Sequence, residues 1–174
     1  MWYISTMRIE TDRLIIDDLK KEDKENYFLN ISHDKNVLET FMCLYQDDLE
    51  SFYFDKYLNR PEILAIRLKD TKELIGIFVE SDIDEKNHSL EIGYGIGTKY
   101  WGKGYMTEVV KEMINYFFTK TSFKTIYASF FPNNIKSKRV MEKCKMTYSH
   151  TNLKELTYLG KERDLIYYKI EKVD

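Results

Sequence analysis

Five of the seven glycines in this 174-residue chain crowd into Gly93-Tyr94-Gly95-Ile96-Gly97 and Gly102-Lys103-Gly104. No other feature restricts the fold as much. Glycine inside a strand marks a bulge or a place where another backbone or a ligand comes close, because no side chain blocks the approach. Beyond the glycines, Val109, Val110, Met113, Ile114, Phe117 and Phe118 recur at helical spacing between Thr107 and Lys120. The stretch therefore reads as strand, loop and helix. Glycines ahead of a helix let consecutive N–H groups converge where the helix dipole adds about half a positive charge, which favours a phosphate. Residues 102 to 107 are the expected pyrophosphate seat, and a pantetheine-like chain suits the glycine-rich strand.

The rest of the chain supplies a domain around this segment. Arg13 to Ile16 reads as a strand, Lys20 to Ile31 as a helix, and Asn36 to Leu58 as one or two further helices, ended by Arg60-Pro61. Glu62 to Lys69, Glu73 to Asp82 and Ser89 to Ile96 are β-rich runs, joined by turns at Asp70-Thr71-Lys72 and at 84–87, so three strands follow in antiparallel succession. Thr125 to Phe131 is a strand stopped by Pro132. Asn133-Asn134 offers capping chemistry to a helix with Ser137, Val140, Met141 and Cys144 on its inner face. Met146 to Tyr158 and Arg163 to Lys172, joined at 159–161, close the chain as two strands. With no linker, repeat or low-complexity tract, residues 1–174 are expected to form a single domain.

Composition narrows the function classes. Lys plus Arg number 27 against 29 Asp plus Glu, a formal net charge of -2, so there is no global positive field to collect nucleic acid or an anionic membrane. Cys43 and Cys144 stand far apart with no CxxC pair, which argues against a disulfide framework or a zinc site and for a reducing interior. Residues 1–13 lack the apolar core of a leader peptide, and no run approaches the ~18 apolar residues of a membrane span, so the expected location is the cytoplasm. His33, His88 and His150 have no metal-ligand spacing and read as surface or hydrogen-bonded histidines.

Two phosphate-binding fingerprints fail on inspection. Gly97 to Lys103 matches GxxxxGK, but Gly104 follows where a magnesium-holding hydroxyl is needed. A GxGxxG fingerprint would put its third glycine at Thr98 or Tyr100. A third reading brings the whole chain together. Lys99-Tyr100-Trp101-Gly102-Lys103-Gly104 resembles the [Q/R]xxGx[G/A] loop of the GNAT superfamily of acetyl-CoA-dependent N-acetyltransferases. Three further stretches resemble its RimJ/RimL-like branch: Glu10-Thr11-Asp12-Arg13-Leu14-Ile15, Tyr100 to Glu108, and the NxxS helix start Asn134-Ile135-Lys136-Ser137. Departures are Lys99 for the usual Arg or Gln, Asp17 where the branch tends to have Arg, and Lys145-Met146 where a Gly-Phe pair usually follows the last helix.

The resemblance implies an α+β fold with a central mixed, mostly antiparallel sheet of about seven strands, splayed at the fourth and flanked by helices. It implies acetyl-CoA as co-substrate, without a metal, and a primary amine as acceptor, either a protein N-terminal α-amine or a small-molecule amine. The cofactor-binding residues it points to are Tyr94, Gly95, Ile96, Lys99, Gly102, Lys103, Gly104, Tyr105, Met106, Thr107 and Asn134. A backbone N–H around Tyr94 to Ile96 would stabilise the oxyanion, and Asn134 would bond the pantetheine amides, although it also suits a plain helix cap. Lys136, Lys138 and Arg139 read as a solvated basic turn or as partners of the 3'-phosphate. The acidic run 80–85 reads as a solvated hairpin with a slight preference for a cationic acceptor. The chain is expected to act as a monomer or homodimer.

Acyl transfer to nitrogen needs an unprotonated amine, a stabilised oxyanion and a proton for the departing thiolate. Deprotonating a lysine-like amine at pH 7 costs roughly 4 to 5 kcal/mol, whereas an α-amine costs only about 1 to 1.5 kcal/mol. Glu91, just before the glycine run, is the candidate base, acting through a water; the alternative is a solvated strand carboxylate. Many superfamily members carry a tyrosine acid at the position of Met141. Ser137 matches the NxxS serine and is the candidate acid, with helix capping or packing as the other reading. A non-catalytic acyl-CoA-binding module is the alternative function.

Overall fold

The computed structural model describes residues 7–173; the leader-peptide reading rests partly on residues 1–6, which lie outside them. Eight strands are hydrogen-bonded in the order β1-β2-β3-β4-β5-β6-β8-β7. They are β1 (Arg8–Glu10), β2 (Leu14–Asp18), β3 (Ile63–Leu68), β4 (Leu74–Asp84), β5 (Ser89–Ile96), β6 (Thr125–Phe130), β7 (Thr147–Tyr158) and β8 (Lys161–Glu171). The mixed, mostly antiparallel α+β architecture is the expected one, with one strand more. That strand, β1, is three residues long and pairs with β2 alone. Its sequence, Arg-Ile-Glu, has no room for an alternating pattern, and its two charges suit a sheet edge.

The chain divides into two compact units, with β4 and β5 each contributing one end to both. The first holds the described residues up to Val79 together with Tyr94–Tyr105. Within it, β2 lies antiparallel between β1 and β3, and β3 pairs antiparallel with β4. The central position of β2 explains its four consecutive buried residues, Leu14 to Asp17. The expected helix over 20–31 is broken into a 3-10 turn (Lys21–Asp23), α1 (Lys24–Tyr27) and a π-helical turn (Phe28–Ser32). Asn30 in that π turn donates its side-chain amide to the Leu74 carbonyl at 2.7 Å. The expected helices over 36–58 shrink to α2 (Lys35–Thr40) and α3 (Asp55–Leu58). Aromatic packing replaces helix between them. Phe52, Phe54 and Tyr57 pack around Tyr27 with ring centroids 5.0 to 6.0 Å away, so their spacing serves one cluster rather than one helical face.

The second unit holds Glu80–Gly93 and the chain from Met106 onward. Here β5 and β6 are parallel, joined by α4 (Tyr105–Lys120) as the crossover that parallel strands require. β6 pairs antiparallel with β8, and β8 with β7. The β7–β8 hairpin turns through Leu159 and Gly160, at φ 50° and 69°, the pair of positive angles that a two-residue hairpin favours. α4 buries Val109, Val110, Met113, Ile114 and Phe117, the stripe read from the sequence apart from Phe118, and Met106 besides. β6 alternates strictly: Ile126, Ala128 and Phe130 are buried, while Thr125, Tyr127 and Ser129 are half-buried on the other face.

α5 (Ile135–Lys143) ends without its usual glycine. Lys145 takes the left-handed position at φ 63° instead. The Lys145 N–H reaches the Glu142 carbonyl and the Met146 N–H the Met141 carbonyl, each at 3.0 Å, which is a Schellman closure made on a lysine.

Candidate active site

The glycines fall into two groups. A Cβ on Gly76 would meet the Gly95 carbonyl oxygen at 2.6 Å, one on Gly95 would meet the Phe41 ring at 3.0 Å, and one on Gly97 would press on Asn30 at 3.1 Å. These glycines are explained by close approach within the first unit, with no ligand needed. Gly102 and Gly104 differ. Both hold positive φ, 77° and 79°; a Cβ on Gly102 would meet nothing within 4 Å and one on Gly104 only Arg13 Nη2 at 3.6 Å. Their conformation makes a turn of backbone with open space at the start of the 16-residue α4. Side chains there would fill that space, so the loop fits a phosphate cradled by backbone N–H groups.

Neighbouring residues hold this loop in place. Asp34 caps α2 through the N–H groups of Asn36 and Val37, and also accepts the Thr98 N–H at 2.8 Å and its hydroxyl at 2.7 Å. Trp101 Nε1 donates to the Ile96 carbonyl at 2.8 Å. Glu73 accepts the Tyr100 hydroxyl at 2.6 Å and Lys99 Nζ at 3.0 Å. Partial burial would raise the Glu73 carboxyl, but these donors outweigh it and bring it below the usual range. Arg13 donates to the Lys103 carbonyl at 3.0 Å and lays its guanidinium 4.5 Å from the Tyr105 ring centre. Lys99 is thus an exposed lysine paired with Glu73, and Lys103 is exposed with its ammonium 5.4 Å from the Tyr100 ring centre.

In the second unit a pocket of about 250 Å³ is lined by Asp82, Glu91, Tyr127, His150, Asn152 and Tyr167. Strand register builds it. Glu91 pairs with Tyr127 across β5–β6, Ser129 with Tyr167 across β6–β8, and Tyr167 with His150 across β8–β7. The Ser129 hydroxyl donates to Glu91 Oε1 at 2.5 Å. The His150 and Tyr167 rings stack at 4.5 Å, 5° from parallel. Burial pushes the Glu91 carboxyl upward; Ser129 opposes the shift, and the charges of Asp82 and Glu155 add to it. Tyr167 is pushed up to about 12, first by burial and then by Glu91, Glu155 and Asp82. A half-buried carboxylate with a raised pKa among acidic and aromatic neighbours is suited to taking a proton from a cation.

Residues 13–147 match the sequence model of the acetyltransferase (GNAT) domain. The chain belongs to the GNAT acetyltransferase family. This acetyltransferase is 29% identical over 152 residues to the uncharacterised N-acetyltransferase YoaA of Bacillus subtilis (strain 168), covering 78% of this chain and 80% of the relative. It superposes with TM-score 0.82 on the crystal structure of a GNAT-family acetyltransferase from Bacillus anthracis, 26% identical, over 95% of this chain and 98% of the other. It also shares its fold, at TM-score 0.80 and 20% identity, with the ribosomal-protein-S5-alanine acetyltransferase of Vibrio fischeri, over 95% and 96% of the two chains.

At the start of α5 the acetyltransferase uses Asn134 Oδ1 to accept the Ser137 N–H at 3.1 Å, so Asn134 is a helix N-cap. Ser137 is half-buried one turn in. Met141 is 0% exposed and belongs to the core, so the position of the usual superfamily acid is filled by packing. Met106 is likewise buried; of the expected cofactor residues, Tyr94, Ile96, Tyr105 and Thr107 are half-buried, and the Thr107 carbonyl faces the Cys144 thiol at 3.7 Å. The sequence points to Glu91 and the glycine loop but not to Asp34, Glu73 and Arg13 as supports of the loop, nor to Asp82, Ser129 and Tyr167 around Glu91. Strand alternation marks Tyr127 and Ser129 as sharing a face. Nothing in the sequence gives the cross-strand register that brings Glu91 to them. Among the described residues no helix is long and apolar enough to cross a membrane.

Proposed function

We propose that this single-domain chain, residues 1–174, transfers the acetyl group of acetyl-CoA to a primary amine by direct attack in a ternary complex. The observation that carries the reading is Glu91, a half-buried carboxylate held by Ser129 in a pocket with a second carboxylate, eleven residues ahead of Gly102, where an open, left-handed glycine loop leads into a helix. Backbone N–H groups from Gly102 to Thr107 bind the pyrophosphate, with the α4 dipole adding to the attraction. Glu91, through a water, removes the proton that the acceptor amine carries at neutral pH, which is the costly step for an amine of high pKa. The neutral nitrogen attacks the thioester carbonyl, a backbone N–H around Tyr94 to Ile96 stabilises the oxyanion, and as the C–S bond breaks Ser137 hands its hydroxyl proton to the departing thiolate and is reprotonated with the proton that the new amide nitrogen sheds. Asn134 both caps α5 and bonds the pantetheine amides. The acceptor is a protein N-terminal α-amine or a small-molecule amine, and the protein works in the cytoplasm as a monomer or homodimer.

The test is incubation with acetyl-CoA and a panel of N-terminal peptides, polyamines, amino acids and aminoglycosides, with free thiol as the readout. We expect amine-dependent thiol release with at least one class. Binding of acetyl-CoA with no thiol released by any acceptor would assign the chain to acyl-CoA binding alone.

A further inference from the structure

Beside the pocket, Glu91 is held by a side chain that the proposed reaction does not use. Ser129 sits on β6, two residues after Tyr127 on the same half-buried face, and is paired in register with Tyr167 of β8. Its hydroxyl donates to Glu91 Oε1 at 2.5 Å. A carboxylate on a three-bond stem turns freely in water, whereas a general base must present one oxygen in a fixed direction. We propose that Ser129 is the positioning residue of the base: by occupying Oε1 it fixes the Glu91 carboxylate and leaves Oε2 to take up the acceptor's proton. This rests on the proposed acetyl transfer with Glu91 as base.

The groups around Glu91 give the idea a signature that a purely structural serine lacks. Asp82 faces it from β4, Tyr127 from β6, Tyr167 from β8, and His150 and Glu155 belong to β7. Ser129 favours the ionised carboxylate by donating to it, and Asp82 disfavours it both by repulsion and by hydrogen bonding that favours the protonated form. Removing each should therefore move the acid limb of the pH–rate profile in opposite directions.

The experiment measures kcat/KM for the amine against pH at saturating acetyl-CoA, in wild type, Ser129→Ala, Ser129→Thr, Asp82→Asn and Glu91→Gln. Ser129→Ala is expected to lower turnover about tenfold and raise the acid limb by about one pH unit, with KM for acetyl-CoA unchanged. Ser129→Thr, which keeps the donor on a strand that accepts β-branched residues, should restore both. Asp82→Asn should move the limb down. If Ser129→Ala does not fold, Ser129→Cys, nearly isosteric with only a weak donor, takes its place with the same expected shift. A folded Ser129 variant without the hydroxyl whose acid limb and turnover match wild type would overturn the proposal. Full activity of Glu91→Gln would instead overturn the assignment of the base on which it rests.

Discussion

Asp17, at a position where the resembling branch tends to carry arginine, is 5% exposed and pairs with the buried Arg67 at 2.6 Å. Arg67 also pairs with Asp23, 3% exposed, and donates to the Asp18 carbonyl. Burial disfavours the guanidinium charge, but the two carboxylates outweigh it and hold the Arg67 pKa above its usual value. Asp17 is therefore committed to the interior of the first unit, in place of the acceptor role a strand-one arginine would suggest. Arg67→Met would take the ion-pair partner from buried Asp23 and leave Asp17 only the more exposed Lys20 and Arg8, and should cost about 3 kcal/mol in urea unfolding. A loss below about 1 kcal/mol would mean that the network carries little stability. Ser137 is the other residue with a separable role. Its N–H donates to Asn134 Oδ1, a bond that does not depend on the side chain. Ser137→Ala keeps that cap and should slow acetyl transfer, less than Glu91→Gln does, because a thiol of pKa near ~8.5 departs unaided at modest cost. Turnover equal to wild type would assign the proton to water.

At the scale of elements, the α4 stripe, the hairpin turns and the Asn134 cap were legible because each depends on local spacing alone. The region from Lys20 to Leu58 was only partly legible. Its apolar residues recur at helical steps, yet they are drawn into an aromatic cluster around Tyr27 and a π turn whose Asn30 bonds Leu74 across 44 positions of sequence, contacts no local spacing shows. The end of α5 shows how a local rule can be met without its usual residue. The missing glycine cap noted in the sequence is real, and Lys145 adopts the left-handed backbone in its place. Lys145→Gly should therefore raise stability by about 1 kcal/mol, read as a higher urea midpoint at unchanged m-value, since glycine removes the strain of a left-handed side-chain-bearing residue. No gain would show that the lysine is unstrained there.

Across the whole molecule, the two candidate sites separate along the chain: the proposed phosphate loop lies in the first unit, and the pocket around Glu91, the proposed base, in the second. The glycine loop was visible beforehand, because glycine clustering survives in a linear sequence; the pocket was not, because it is assembled from five strands. The division makes two substitutions diverge. Gly104→Asp puts a side chain into the open cradle, where Arg13 is the nearest partner, and should abolish coenzyme A binding in a folded protein. Glu91→Gln should act on turnover instead. Its stability control follows from sign: a carboxyl with a raised folded-state pKa loses stability as pH climbs through its unfolded to its folded value, so at pH 7 the glutamine variant should be at least as stable as wild type. The most direct measurement is therefore kcat for amine-dependent thiol release by wild type and Glu91→Gln at pH 7 and at high pH, with acetyl-CoA affinity measured alongside. We expect kcat to fall by roughly 10²-fold or more at pH 7, the gap to narrow at high pH as free amine accumulates, and acetyl-CoA affinity to stay near wild type; a glutamine variant with full turnover at pH 7 would contradict the assignment of Glu91 as the base.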